Sequence, residues 1–291
     1  MFTYILALVP FLFLFSSPIV NFFSGSGSGH HTVQQIHRLP RPSLNEDLLA
    51  LEDPLSSNLS CAEHDYRVYI YSRAPLVIYV ENFLSASERE HLLELAEGMY
   101  QPSTVTHDGG NTQEGDRRVR DSEVAMVNRT GVVRCIEARA RGFQGWQGEV
   151  WVERLRMQRY GTGGHYSGHF DWSSGRGGWG RVGSWMGKGD GEGEKAGGVQ
   201  EGENGKGGLK GGGTEFPLLK RQADERWCER GFVACDKKGV TFNVVPGNAV
   251  YWENFRADGS GRGWEETWHA GLPVEEGVKV GLNIWSWGRI E

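Results

Sequence analysis

Long runs of basic residues are absent from this 291-residue chain. Its 31 Lys and Arg residues are scattered and are outnumbered by 37 Asp and Glu residues, which gives a formal net charge of −6. A surface that follows a nucleic-acid backbone needs clustered positive charge, so no nucleic-acid partner is expected. The length allows one catalytic domain of roughly 200 residues with accessory segments.

Charged residues are also missing from residues 1–23, which are mostly apolar. Such a segment is typical of a signal peptide or a single membrane anchor, and either would direct the chain into the secretory pathway. Because a basic n-region is missing and the cleavage site is poor, an uncleaved anchor in the membrane is slightly favoured. Residues 24–60 contain Pro, Ser and Gly without sustained periodicity and are predicted to link this segment to a globular domain over 61–291.

Cysteine is scarce, and the four that occur are Cys61, Cys135, Cys228 and Cys235. An even number in an oxidising compartment allows disulfides to form. The short loop between Cys228 and Cys235 favours that pair, although some of the four could remain as buried thiols.

Apolar residues are almost absent after Met186 within the segment 175–213, which is rich in Gly with Lys and Glu interspersed. This composition cannot bury a core face, so the segment is predicted to be a flexible insertion. We also expect it to shorten one strand of the core.

The remaining sequence favours a mainly β domain with N-terminal helices. Ser85-Ala-Ser-Glu88 predicts the start of one helix, and a second helix is predicted over Val132–Gly142. Short strands dominate the C-terminal half, so the core is predicted to be an antiparallel sandwich or jelly roll. The predicted strands cover residues 66–71, 76–80, 151–160, the segment around His169, 240–245, 249–252 and 278–287.

Histidine is infrequent, and only one, His269, follows His169. One residue separates His169 from Asp171, and residues i and i+2 of a strand face the same side, so the pair can close on one metal ion. Two histidines and one carboxylate on one face of the metal, with the other positions open, form the site of non-haem Fe(II) oxygenases. An isolated His-x-Asp often arises by chance, so its surroundings must support the interpretation.

The last predicted strand separates polar from apolar residues. Lys279, Gly281, Asn283 and Trp285 alternate with the apolar positions 278, 280, 282 and 284. Because helices can cover the apolar face, the other face is predicted to line a cavity.

Four separated blocks, in order, resemble the catalytic domain of prolyl 4-hydroxylase alpha subunits, and the resemblance covers roughly residues 76–291. The blocks are Tyr160-x2-Gly-x2-Tyr-x2-His169-x-Asp171, Gly212-Gly-Thr-Glu-Phe-Pro217, Val245-Pro-Gly-Asn-Ala-Val-Tyr-Trp252 and His269-x-Gly-x-Pro-Val-x2-Gly-x-Lys279. The resemblance implies an Fe(II)- and 2-oxoglutarate-dependent dioxygenase with a double-stranded β-helix (jelly-roll) core, dependence on L-ascorbate, and residence in the endoplasmic reticulum. O2 and a peptide or protein substrate, hydroxylated at proline, are the implied partners.

Roles for individual residues also follow from the resemblance. It implies that His169, Asp171 and His269 hold Fe(II), and that Lys279 pairs with the distal carboxylate of 2-oxoglutarate. A solvent-exposed strand Lys is the ordinary alternative for Lys279.

The other implied positions surround the same cavity. Tyr160 and Thr214 match residues that help to bind 2-oxoglutarate, although a core Tyr and a strand-end Thr are equally acceptable interpretations. Trp285, Asn283 and Arg120 are assigned to the substrate pocket, while a surface position is the simpler interpretation of Arg120. Two alternatives for function stay open: an oxygenase acting on a substrate other than proline, and a catalytically impaired relative that serves as an interaction module.

Overall fold

The computed structural model describes most of the predicted domain, namely residues 40–43, 45, 47–52, 59–106, 112–113, 116–172, 178–188 and 208–290. The predicted signal or anchor segment lies outside these residues. No helix among the described residues is long and apolar enough to cross a membrane. Leu49, in the predicted linker, is buried and forms a β-bridge with Glu153, so this part of the linker packs against the domain.

The larger of the two main antiparallel sheets has nine strands. The strands of all sheets share one numbering, which follows the order of the chain. In spatial order they are β1 (Arg67–Arg73), β2 (Leu76–Glu81), β15 (Ala249–Glu253), β11 (Trp179–Lys188), β18 (Lys279–Arg289), β9 (Arg156–Tyr160), β7 (Glu123–Met126) and β3 (Gln101–Pro102), while β8 (Val150–Val152) also pairs with β18.

The smaller sheet has five strands and faces one end of the larger one. Its order is β14 (Val240–Phe242), β13 (Thr214–Phe216), β16 (His269–Gly271), β10 (His165–His169) and β6 (Arg120–Asp121). Two short ribbons pair β12 (Lys210–Gly211) with β17 (Val274–Glu276), and β4 (Val105–Thr106) with β5 (Thr112–Gln113). The helices are α1 (Ala86–Ala96), α2 (Gly131–Phe143), the single turn α3 (Arg226–Glu229) and a 3₁₀ turn (Glu265–Thr267).

Helices α1 and α2 cover one face of the larger sheet. The Ser85 hydroxyl accepts a hydrogen bond from the Glu88 backbone N–H, and the Glu88 carboxylate accepts one from the Ser85 N–H, which is the predicted capping box. Arg139 of α2 pairs with Glu88 at 2.7 Å and thereby joins the two helices. The alternate apolar residues of β18 pack against these helices, as the sequence predicts; Val280, Leu282 and Ile284 share one cluster with Leu92, Val133 and Ile136.

A second, aromatic cluster fills the space between the two sheets. Tyr79 and Trp252 of the larger sheet contact Phe242 and Phe216 of the smaller one, at ring-centroid distances of 6.0 Å and 5.2 Å. The mainly β jelly-roll core with N-terminal helices that the sequence predicts is therefore confirmed.

The prediction of a flexible insertion over 175–213 is wrong for residues 179–188. They form β11, which lies between β15 and β18 in the middle of the larger sheet, so no core strand is shortened. Glycine is tolerated there because neighbouring side chains take the space of a missing one: a Cβ atom on Gly183 would lie 3.0 Å from the Tyr251 ring. Residues 189–207 lie outside the described part of the chain.

The predicted disulfide between Cys228 and Cys235 is also wrong. Cys61 is bonded to Cys135, whereas Cys228 and Cys235 are free thiols. Loop length misled the prediction, because folding brings Cys61 next to α2 although 74 positions separate it from Cys135.

Candidate metal centre

His169, Asp171 and His269 meet at the inner side of the smaller sheet. His169 ends β10, His269 begins β16, and the two residues are direct partners in the antiparallel register. The Asp171 carboxylate oxygens lie 3.7 Å from His169 Nε2 and 3.8 Å from His269 Nε2. The three candidate ligand atoms are all within 4.8 Å of one another, which suits a single metal ion. Asp171 lies two residues beyond β10, so a turn rather than strand alternation brings it to the site.

Backbone carbonyls orient both imidazoles. Nδ1 of His169 lies 2.8 Å from the Ser167 oxygen, and Nδ1 of His269 lies 2.9 Å from the Thr267 oxygen. A carbonyl oxygen only accepts hydrogen bonds, so each Nδ1 carries the proton and each Nε2 has a free lone pair directed at the centre. This is the tautomer that a metal ligand needs.

Electrostatics keep His169 and Asp171 in their metal-binding protonation states. Burial, together with the neighbouring His269, lowers the pKa of His169 to about 3, so its imidazole is neutral near pH 7. Burial would raise the pKa of Asp171, but His269, His169 and Arg181 outweigh it and lower this pKa below its usual value. A neutral imidazole beside an ionised carboxylate is the donor set that binds a divalent metal.

Aromatic residues fix the positions of the histidines. Tyr166 stacks on His169 with ring centroids 3.6 Å apart, and Trp252 and Phe216 contact His269 at 4.8 Å and 5.4 Å. The His269 ring is therefore buried in the aromatic cluster between the sheets and has little freedom to rotate.

A polar cavity continues from the triad to Lys279. Three of the five other predicted residues, Tyr160, Thr214 and Asn283, line this cavity, whereas Trp285 and Arg120 do not. Lys279 is 2% exposed, and burial lowers the pKa of its ammonium group to about 8. Among the described residues no carboxylate pairs with it, and its Nζ lies 5.0 Å from the centre of the Tyr160 ring.

Several other polar atoms of this cavity also have no partner. They are Thr214 Oγ1, Asn283 Oδ1 and Gln158 Nε2. Buried polar groups without hydrogen bonds cost free energy, so the cavity suits a polar ligand that restores them. A ligand carboxylate would satisfy both Lys279 and the Thr214 hydroxyl.

Tyr160 and Arg120 make contacts that the sequence did not indicate. The Tyr160 hydroxyl donates to Gln158 Oε1 at 2.6 Å, so it is already used within the protein. The Arg120 guanidinium lies 4.5 Å from the Tyr166 ring centre, and its Nε donates to the Ser122 hydroxyl. Arg120 thus reaches the site through Tyr166.

Trp285 lies next to Asp171, and its surroundings include residues that were not predicted from the sequence. Its indole donates a hydrogen bond to Asp171. Arg181 lies 3.9 Å from the Trp285 ring centre and pairs with Glu153 at 2.6 Å. The alternation of β11 would have directed Arg181 to this face, but the glycine content of the segment concealed the strand.

Comparisons with known proteins agree with this arrangement. No protein-family model matches the chain. A curated relative, described as probable prolyl 4-hydroxylase 7 of Arabidopsis thaliana, is 26% identical over 228 residues, which cover 75% of this chain and 65% of the relative. The chain thus spans slightly less than two thirds of that relative's length.

Two solved structures that match part of the chain carry related descriptions. The viral collagen prolyl hydroxylase of Paramecium Bursaria Chlorella virus-1, in its 2OG complex, has a TM-score of 0.48 and 19% identity, covering 73% of this chain and 96% of that one. A Pseudomonas putida prolyl-4-hydroxylase has a TM-score of 0.41 and 16% identity, covering 78% and 93%. The sequence relative confirms the resemblance to prolyl 4-hydroxylases that the four motif blocks predict.

Proposed function

We propose that this protein is an Fe(II)- and 2-oxoglutarate-dependent dioxygenase that hydroxylates peptidyl proline in the secretory pathway, with O2 as cosubstrate and L-ascorbate as auxiliary reductant. One observation carries the proposal: a buried ammonium group without a carboxylate partner, Lys279, lies in the same cavity as a His-Asp-His triad. A dianionic 2-oxo acid could bind the metal at one end and Lys279 at the other.

Each residue has a defined task in this scheme. Two imidazoles and one carboxylate occupy one side of the ion and leave positions open for the 2-oxo acid and dioxygen. When bound, Fe(II) with these cosubstrates supplies the oxidising power for placing an oxygen atom on an unactivated C–H bond. Lys279 neutralises the distal carboxylate, and the Thr214 hydroxyl donates a hydrogen bond to it.

Orientation and exclusion of water are the tasks of the surrounding side chains. The hydrogen bond from Trp285 holds the Asp171 carboxylate towards both histidines. Tyr166 covers His169, and Asn283 closes the side towards β18. A dry, rigid site favours the coupled reaction over loss of oxidising equivalents to water.

The substrate and compartment rest on separate observations. The curated relative carries the description prolyl 4-hydroxylase, which supports a prolyl substrate. The apolar, uncharged residues 1–23 and the disulfide between Cys61 and Cys135 support an oxidising compartment such as the lumen of the endoplasmic reticulum.

The test measures succinate released from 2-oxoglutarate by the full chain with Fe(II) and ascorbate, with and without proline-rich peptides. We expect peptide-stimulated succinate release and a mass increase of one oxygen atom on a peptide proline. The control His269→Ala, which removes one metal ligand, should abolish both signals. Succinate release without any peptide hydroxylation would replace proline by another substrate class, and absence of succinate release with Fe(II) bound would refute the oxygenase.

A further inference from the structure

Glu153 is a buried acidic residue that follows strand β8 and has no task in the reaction proposed above. It is 6% exposed, and its backbone is held on two sides. The Glu153 N–H donates a hydrogen bond of 2.7 Å to the Trp285 carbonyl, and Glu153 forms a β-bridge with Leu49 of the linker segment. Two further backbone hydrogen bonds of 2.8 Å join residues 48–50 to residues 152–154 beside that bridge. The linker and β18 together therefore fix the position of Glu153.

The Glu153 carboxylate binds the Arg181 guanidinium through both of its oxygens. Arg181 Nε donates to one oxygen at 2.6 Å, and Arg181 Nη2 donates to the other at 2.9 Å. A second guanidinium, that of Arg156, has a nitrogen 3.9 Å from the same carboxylate. A two-point pair between a planar guanidinium and a carboxylate fixes the orientation of the guanidinium as well as its position.

Both guanidiniums lie against the ring of Trp285. The Cζ atoms of Arg181 and Arg156 are 3.9 Å and 5.3 Å from the ring centre. Because a guanidinium is attracted to the face of an indole, these contacts hold the ring in one orientation. Glu153 thus fixes the backbone of Trp285 directly and its side chain through two arginines.

The orientation of Trp285 matters for the candidate metal centre. Its indole N–H donates a hydrogen bond to the carboxylate of Asp171, the ligand that lies in a turn beyond the end of β10. Groups that hydrogen-bond a metal ligand orient it and change the affinity for the metal. A displaced indole would leave the Asp171 carboxylate free to rotate.

We propose that Glu153 is a positioning residue for Asp171, which it orients through Arg181, Arg156 and the indole of Trp285. The inference rests on the proposed function, because it concerns the same metal centre. The alternative is a buried ion pair that contributes only to the stability of the fold. The two roles differ in their effect on a bound metal, because only a positioning residue changes the environment of the ion.

The test replaces Glu153 by Gln in the full chain and uses Co(II) as a spectroscopic probe of the metal centre. Gln keeps the volume of Glu but presents an amide NH2 group to one of the two Arg181 donors, so the two-point pair is lost. We expect Glu153→Gln to weaken Co(II) binding about tenfold, because Asp171 is no longer held in one orientation. The visible absorption bands of bound Co(II) should shift as well, since they report the arrangement of the ligands.

Glu137→Gln is the matched control. Glu137 lies in helix α2, is 4% exposed and pairs with Arg129 at 2.8 Å, so this substitution also breaks a buried ion pair. It should lower the melting temperature, and it should leave both the affinity for Co(II) and the Co(II) spectrum unchanged.

Metal binding does not require turnover, so the two hypotheses can be separated. If folded Glu153→Gln binds Co(II) with the affinity and spectrum of the wild type, the inference is overturned and the proposed oxygenase is untouched, whatever the melting temperature. Absence of Co(II) binding by the wild type overturns both. If Glu153→Gln does not fold, Arg181→Lys keeps the positive charge without the two-point pair or the flat contact with Trp285, and the same loss of affinity and spectral shift are expected.

Discussion

The most informative single residue is Lys279, because its environment is costly without a ligand. A fully buried ammonium group normally has a paired carboxylate, and none of the described residues supplies one. This buried, unpaired ammonium group faces a candidate metal centre. A costly buried charge at such a position is typical of a ligand-binding residue rather than of a structural one.

Replacing Lys279 by Met should weaken binding of 2-oxoglutarate without affecting binding of the metal. We expect Lys279→Met to weaken 2-oxoglutarate binding by about 2–5 kcal/mol, because the ligand carboxylate would be buried without its partner. Metal binding by the triad should persist. Calorimetric titration of the Fe(II)-loaded protein measures both. The control Lys210→Met removes an exposed lysine that pairs with Glu276, and should change neither value; unchanged 2-oxoglutarate affinity in Lys279→Met would contradict the assignment.

The pH dependence of stability gives a second check on this lysine. Burial lowers the pKa of Lys279 to about 8 in the folded chain, below the ordinary lysine value of 10.5. The unfolded chain therefore binds the proton more tightly, and the ligand-free protein should gain up to about 3 kcal/mol from this group as the pH rises from 8 towards 10.5. Chemical denaturation of the wild type and Lys279→Met over this range should show the gain only in the wild type; parallel pH profiles would show that the ammonium is solvated.

At the scale of elements, β11 is the strand that completes the larger sheet of the jelly roll. Its residues Trp185 and Met186 face opposite sides, with Trp185 stacked on Phe83 at 4.7 Å and Met186 lining the cavity. The strand therefore connects the helical face of the larger sheet to the candidate metal centre, and the shortened core strand expected from the sequence is not seen at β11.

The two parts of the predicted insertion should respond differently to mutation. Deleting residues 192–204 should leave the melting temperature nearly unchanged, because closure entropy changes by only about 0.6 kcal/mol per halving of loop length. Trp185→Ala, within β11, should cost about 3–5 kcal/mol because it leaves a large cavity in the core. Thermal melts of both variants provide the comparison; equal destabilisation would mean that the deleted residues also belong to the folded core.

The sequence predicted the elements whose periodicity is strong. The capping box at Ser85 and the alternation along β18 follow from local spacing. The convergence of His169, Asp171 and His269 was predicted from the motif blocks, and a turn rather than strand alternation brings Asp171 to the site. It did not predict β11, because glycine conceals alternation when the packing partners come from distant strands. Arg181 was missed for the same reason. Glu153 was missed because no spacing in the sequence connects it to Arg181, its partner in the fold.

At the scale of the whole molecule, one disulfide links two distant positions of the chain. The disulfide joins Cys61, just before β1, to Cys135 in α2, and spans 74 positions. It therefore ties the first strand of the larger sheet to the helix that covers that sheet.

Cys135→Ser should destabilise the fold by about 4 kcal/mol, because the closed loop is long and the unfolded chain gains much entropy when it opens. Cys235→Ser, at an exposed free thiol, should have little effect. Denaturation of both variants without reductant measures the difference. An equal loss in the two variants would indicate that the cysteines pair differently in solution.

Strand β18 carries both Lys279 and Trp285. From Lys279 to Trp285 the strand β18 extends about 20 Å and is hydrogen-bonded on both sides, so the distance between these two residues is fixed. The Lys279 side chain is buried, so its ammonium group has little freedom to follow a ligand of different length. We therefore expect the enzyme to discriminate between homologous 2-oxo diacids, rejecting those one methylene shorter or longer because only one end can be satisfied at a time.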